Sequence, residues 1–228
     1  MNKPNITHQQ LRDALKRVVA EQNGGFALNM WATLVDRDGK VQLVVFSGAN
    51  RGEQWFGSRL ISAQKAYTAN AFSLPALALS TANLYTATQP SGSLYGLQHS
   101  NPVDATQAYA GEASDFGTEC DPLVGRRIGG VNVFGGGLPL YDESGALVGA
   151  LGVSGDSSAA DHNIAWKLRH ALGLDYVPSG VSPTGDDNIV YDIQNGVSAG
   201  GWGHPTTTPE ATAIAQALPQ THPVRKKA

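Results

Sequence analysis

Residues 129–170 read GGVNVFGGGLPLYDESGALVGALGVSGDSSAADHNIAWKLRH, and the order of elements in this stretch decides the fold. It predicts a strand up to the glycine triplet Gly135–Gly137, then a tight hairpin, then a helix. Leu138–Tyr141 and Ala146–Val153 are the apolar arms of the hairpin. Asp142, Glu143, Ser144 and Gly145 between them are turn chemistry, with Gly145 free to take a positive φ. A second glycine-rich break, Gly152-Val153-Ser154-Gly155-Asp156, ends the second arm. Ser157 and Ser158 can then cap the helix predicted over Ala159–Leu172. Unsubstituted backbone at the triplet and a helix N-terminus thus converge near His162, which marks a candidate ligand site.

Working outward, Thr7 followed by Gln10 is a capping-box pattern, and Leu11, Leu15, Val18 and Val19 recur at helical spacing until Asn23-Gly24-Gly25. Phe26–Val35 and Val41–Ser47 are rich in β-formers and are joined by Asp36-Arg37-Asp38-Gly39, a hairpin signal. A second helix is predicted over Ser58–Phe72 and a third from Pro75 to about Leu84. From Thr86 to Arg127 the pattern fades, over a length that exceeds an ordinary connection. The tail from residue 174 onward is rich in Pro, Gly, Thr and Asp, with a strand signal at Asn188–Ile193 and a short helix at Thr206–Ala217. Hairpin-linked strands interleaved with helices predict an α+β fold on an antiparallel sheet, not a doubly wound parallel one. The expected division is a domain over 1–173, with an inserted loop at about 86–127, and an extension over 174–228.

The 228 residues suffice for one buried core, and the formal net charge of −3 gives no nucleic-acid footprint. The basic tip Arg225-Lys226-Lys227 is too short to change that. A single cysteine, Cys120, excludes an intramolecular disulfide and a cysteine-based metal cluster. The N-terminus lacks the apolar core of a signal peptide, and no apolar run has membrane-spanning length. A cytoplasmic protein without nucleic-acid or membrane partners is expected. Gly149, Gly152 and Gly155 do not make a dinucleotide fingerprint, no Walker lysine follows a glycine loop, and Ser154 lacks the nucleophile-elbow spacing.

With these pieces in place the chain resembles the GlcG/HbpS family, which includes the PduO C-terminal domain. The resemblance rests on Trp31–Gly39 (WATLVDRDG), Ser62–Ala69 (SAQKAYTA), Gly135–Leu140 (GGGLPL), Gly149–Gly155 (GALGVSG) and the Asp161-His162 pair. It implies a profilin-like fold: a five-stranded antiparallel sheet flanked by helices in three α/β/α layers. It further implies a homo-oligomer, octamers being known in the family, and a small-molecule ligand, heme or a related tetrapyrrole. The 86–127 stretch is much longer than the family's usual connection, and the tail after Gly173 has no counterpart in the minimal domain.

On that reading His162 is the candidate ligand to heme iron, since a neutral imidazole is a common axial ligand. The bland alternative is a histidine that serves only its helix. Asp161 precedes it, but neighbouring helix residues point in different directions. Lys65 and Thr68, at i and i+3 of one helix, can face a site together, with Lys65 toward an acidic substituent and Thr68 as a hydroxyl donor. Solvated lysine and packed threonine are their ordinary roles. Arg126 and Arg127 are candidates to neutralise an anionic ligand, or else a solubilising turn. Gly135, Gly136 and Gly137 either let a ligand approach or form a bulge or subunit contact. His99 has no fixed place, Cys120 between Glu119 and Asp121 is disfavoured as a thiolate, and His204 and His222 look incidental. The rival function is an enzyme acting on a small organic acid, with His162 as general acid or base.

Overall fold

The structure is a computed structural model and describes residues 3–226. Helix α1 (His8–Val19) opens on the predicted capping box: the Gln10 N–H donates to Thr7 Oγ1 and the Thr7 N–H to Gln10 Oε1. Strands β1 (Trp31–Asp36) and β2 (Val41–Phe46) form the first hairpin, whose turn is fixed by the Asp36 carboxylate accepting from the N–H groups of Asp38 and Lys40. Helix α2 (Gly57–Phe72) follows. The unpatterned stretch contains three single turns, α3 (Tyr85–Thr88), α4 (Leu97–Ser100) and α5 (Ala105–Ala108). Then come β3 (Gly137–Tyr141), β4 (Leu147–Ser154) and α6 (Ser158–Ala171), capped by Ser157. The tail holds a small hairpin, β5 (Ile193–Gln194) with β6 (Val197–Ser198), and helix α7 (Pro209–Thr221).

The fold is α+β, with an antiparallel sheet in the order β2-β1-β4-β3 between helical layers. Ala32 and Leu34 of β1 and Leu151 and Val153 of β4 face α1 and α6; Trp31, Val35 and Ala150 face α2. With both faces covered, the strands read as continuous apolar runs. On the α2 side contact is close because the residues are small. A Cβ on Gly152 would overlap Ser62 O and lie 2.5 Å from Ala66 N. Thr33 and Ser62 hydroxyls meet at 2.7 Å across the same interface.

The sheet has four strands where five are expected. Residues 129–134 do not pair as a strand because side chains take their main-chain groups. The Asn132 N–H donates to Thr68 Oγ1, and Phe134 O accepts from the Thr81 hydroxyl. Gly129 and Gly130 both adopt positive φ, which breaks the extended run. The helix expected from Pro75 is also absent. Leu74 and Leu77 exchange main-chain hydrogen bonds around a tight turn, the Ala78 N–H donates to Ser179 O, and only Thr81–Leu84 forms a 3₁₀ turn. The first strand starts at Trp31, since the Asp156 carboxylate collects the N–H groups of Phe26 and Leu28 around the left-handed Ala27.

Both sheet edges are covered by irregular chain. Val41 exchanges main-chain hydrogen bonds with Gly125 and Arg126 beside β2. On β3, Pro139 has no N–H, its oxygen accepts from Arg169, and Tyr141 bonds Leu174 and Tyr176. The long loop is fixed by Asp121, whose buried carboxylate takes a bidentate pair of bonds from Arg59 and the Gly117 N–H. The tail folds back on α6 of the same chain, with Ala211, Ala215 and Leu218 of α7 turned inward.

The contact at Gly152 gives a direct test. Gly152→Ala pushes α2 off the sheet and is expected to cost about 3 kcal/mol or more, read from the urea midpoint. An unchanged midpoint would mean that the helix does not rest on this glycine.

Candidate functional site

The glycine triplet sits in the wedge between α2 and the first turns of α6. A Cβ on Gly135 would overlap Ser158 O and lie 3.0 Å from His162 Cβ. One on Gly136 would overlap Val153 O and lie 3.0 Å from both Lys65 Nζ and Asp161 Cβ, and one on Gly137 would crowd Lys65 and Thr81. Lys65, Asp161, His162 and the triplet are therefore gathered at one place.

They are gathered by contacts with one another. Lys65 Nζ donates to Asp161 Oδ2 at 2.6 Å and to Val153 O at 3.1 Å, and Asp161 Oδ1 accepts from the Asp156 N–H at 2.9 Å. Both side chains of this ion pair are almost fully buried. Burial pushes the Asp161 carboxyl up, to about 6, against the pull of the Lys65 ammonium. Thr68 donates to Gln64 O and accepts from the Asn132 N–H, so its hydroxyl is spent on the backbone. Two of the triplet's N–H groups are also taken: Gly135 donates to His204 Nε2 and Gly137 to Thr81 Oγ1.

His162 is fully buried. Its Nε2 lies 3.0 Å from Asn188 Oδ1 and 3.1 Å from the Ile189 nitrogen, whose N–H points to it. The Asn188 amide is oriented by its other end, where Nδ2 donates to Ala215 O at 2.8 Å. Its oxygen therefore faces the ring. Nδ1 is buried and has no hydrogen-bond partner among the described residues. Burial holds the ring neutral, pushing its pKa down to about 3, helped by the nearby cations Arg169 and Lys65. His204 is neutral for the same reason, pushed down to about 4, with Nδ1–H donating to Pro205 O.

Arg126 and Arg127 lie elsewhere. Arg127 donates to Asp38 O in the first hairpin turn, and both are exposed beside β2. The register of the 125–126 segment on Val41 places them there, away from the triplet. His99 is exposed on α4 and Cys120 is exposed in the long loop. The residues that sequence reasoning missed are Asn188, Ile189 and His204, all from the tail. No local signal marks them, because each meets the core through a contact distant in sequence.

The donor chemistry at His162 suits a metal, but the space does not admit a macrocycle. Helices α2 and α6 touch the triplet from both sides, and the tail closes the imidazole edge. In this arrangement a tetrapyrrole does not fit. Among the described residues there is also no group of three or more His, Cys, Asp or Glu placed to hold a metal ion, and no helix is long and apolar enough to cross a membrane.

Two tests follow from this chemistry. Lys65→Met strands the Asp161 carboxylate and is expected to cost about 3–5 kcal/mol, most of which Lys65→Met with Asp161→Leu should restore. No recovery in the double variant would contradict a stand-alone pair. The second test is pH. Between pH 6.5 and the folded values of about 3 and 4, unfolded His162 and His204 bind protons that the folded rings refuse. Stability is thus full above pH 6.5 and falls on acidification, by up to about 1.4 kcal/mol per pH unit for each ring. Asp161, with its raised pKa, works in the opposite direction from pH 3.8 to about 6 and tempers the slope. Urea midpoints at pH 7 and pH 5 should separate, and by less in His204→Gln; an equal separation in that variant would rule out His204 as a contributor.

Comparison with known proteins places this geometry. No match is found among curated proteins. Among solved structures, the chain is similar to one described as "Crystal Structure of PduOC:Heme Complex", at 24% identity and a TM-score of 0.47, over 70% of this chain and 89% of that one. It is also similar to the Klebsiella pneumoniae protein ORFY, at 26% identity and a TM-score of 0.49, over 75% of this chain and 96% of that one. The family described as "Haem degrading protein HbpS-like" matches residues 6–168, from the first helix cap through most of α6. The chain belongs to the HbpS-like family.

Proposed function

We propose that this protein binds a small molecule of the tetrapyrrole class, heme or a relative, and that His162 is its principal polar contact. The observation that carries this reading is the His162 Nδ1, a buried ring nitrogen with no hydrogen-bond partner among the described residues, in a chain whose family description names haem. An unmatched buried polar atom costs about 1–3 kcal/mol, a penalty that a ligand group paired with it would remove. The neutral ring is in the protonation state that ligation requires. Lys65 is not available to a ligand's acid groups while it is paired with Asp161. The ligand's edges must therefore be met by main chain and by apolar surface, once the wedge is uncovered.

Titration of the purified protein with hemin tests this. A saturable Soret shift is expected, weakened at least tenfold in His162→Ala and retained in Cys120→Ser, whose thiol is exposed in the long loop. An identical titration in His162→Ala removes the role assigned to the imidazole.

A further inference from the structure

Helix α2 borders a second place of interest, a cleft to which neither His162 nor Asp161 contributes. Its volume is about 360 Å³. Leu60, Ile61 and Gln64 form the helical wall, at spacings that bring them to one side of α2. Tyr109 and Phe116 of the long loop form the other wall, and Phe56, just ahead of the helix, borders the cleft as well. An apolar, aromatic-lined hollow with a few polar groups is the usual form of a small-molecule site, and this volume lies at the small end of the range of about 300–1,000 Å³.

The walls are fixed before any ligand arrives. Arg59 is 3 % exposed and holds Asp121 through Nε and Nη2, and the same carboxylate takes the Gly117 N–H. The guanidinium carbon lies 3.7 Å from the centroid of the Phe116 ring, so the ion pair that fastens the loop also seats this aromatic wall. The stem of Gln64 rests against Gly130, where a Cβ would lie 3.0 Å from Gln64 Cγ.

Two features of the cleft serve no purpose in folding. The first is exposed aromatic surface: Phe56 is 58 % and Tyr109 73 % exposed, and Trp55 beside Phe56 is 56 % exposed. Single exposed apolar side chains are ordinary, whereas a group of them about one hollow marks a place of binding. The second is unspent hydrogen-bonding capacity. Arg59 commits Nε and Nη2 to Asp121, and Nη1 has no partner among the described residues. Nor does the side-chain amide of Gln64, whose main-chain oxygen alone is engaged, by Thr68.

We propose that this cleft binds a small planar ring compound, uncharged and carrying a hydrogen-bond acceptor such as a carbonyl. The aromatic walls suit a flat ring, whose faces and edges they can meet. Arg59 Nη1 and the Gln64 amide supply donors for the acceptor. The charge balance selects a neutral molecule. Asp121 already offsets the Arg59 cation, and Glu112 and Asp115 follow Tyr109 in the same loop, so no net positive field favours an anion. This site is independent of the tetrapyrrole reading and stands or falls without it.

The test titrates the full chain with coumarin, a neutral bicyclic aromatic lactone, followed by backbone amide shifts and by calorimetry. Saturable binding with Kd below about 1 mM is expected, with shifts concentrated in residues 56–64 and 108–116. Ile61→Trp fills the cleft and should weaken binding at least tenfold. Gln64→Ala removes one donor and should weaken it about threefold or more. Coumarin-3-carboxylate, the same ring with a negative charge, should bind at least threefold more weakly than coumarin. Absence of saturable binding, shifts centred elsewhere, or unchanged affinity in a folded Ile61→Trp overturns the site. A carboxylate that binds as tightly as coumarin overturns the uncharged class. Where Ile61→Trp fails to fold, the shift map of the wild type and the affinity of Gln64→Ala decide the matter.

Discussion

The ion pair between Lys65 and Asp161 governs the architecture around it. Two charges removed from water carry a desolvation penalty of several kcal/mol each, recovered only when geometry is close and remaining donors and acceptors are met. Here the ammonium has Val153 O as a second acceptor and the carboxylate has the Asp156 N–H. The pair draws α2 and α6 together across the end of β4, and only unsubstituted main chain can pass between them. That is why Gly135, Gly136 and Gly137 are consecutive. The same device recurs at two further points: Arg59 with Asp121 fastens the long loop to α2, and Arg169 with Asp187 fastens the tail to α6. Each joins an irregular segment, or a second helix, to a helix on the sheet.

The site is built from groups of the family core and closed by groups outside it. His162 illustrates the difference between a residue's chemistry and its availability. The ring is neutral and keeps one nitrogen without a partner, both properties of a ligating histidine. Its other nitrogen is engaged by the tail. The tail packs through both α7 and the segment that meets the imidazole, where Ile189 joins Ala82 and Ala215 in one apolar cluster.

Much of this was legible in the sequence, for identifiable reasons. The hairpins carried their turn residues, the α1 cap was a local pattern, and Ser62–Ala69 and Gly149–Gly155 carried the family resemblance. The convergence of Gly135–Gly137 with a helix N-terminus near His162 followed from the order of elements. What could not be read was set by contacts between distant residues. Thr68 and Thr81 claim the backbone of 131–137 and prevent a strand; Ser179 claims Ala78 and prevents a helix. Arg126 and Arg127 were misplaced because the register of their segment is fixed by Val41, far upstream. Asn188 carries no motif at all, since its role depends on which side chain it meets.

The covered borders of the sheet have a consequence for how copies of this chain can meet. One border ends against the 125–126 segment, and the other presents a proline and carbonyls already claimed by Arg169 and by the chain after α6. Continuation of the sheet from one molecule into the next is thereby blocked at these positions, which is how natural β-proteins guard against fibrous growth. Self-association must instead be written in side chains on the helical and loop surfaces, where single substitutions can tune or abolish it without touching the strands.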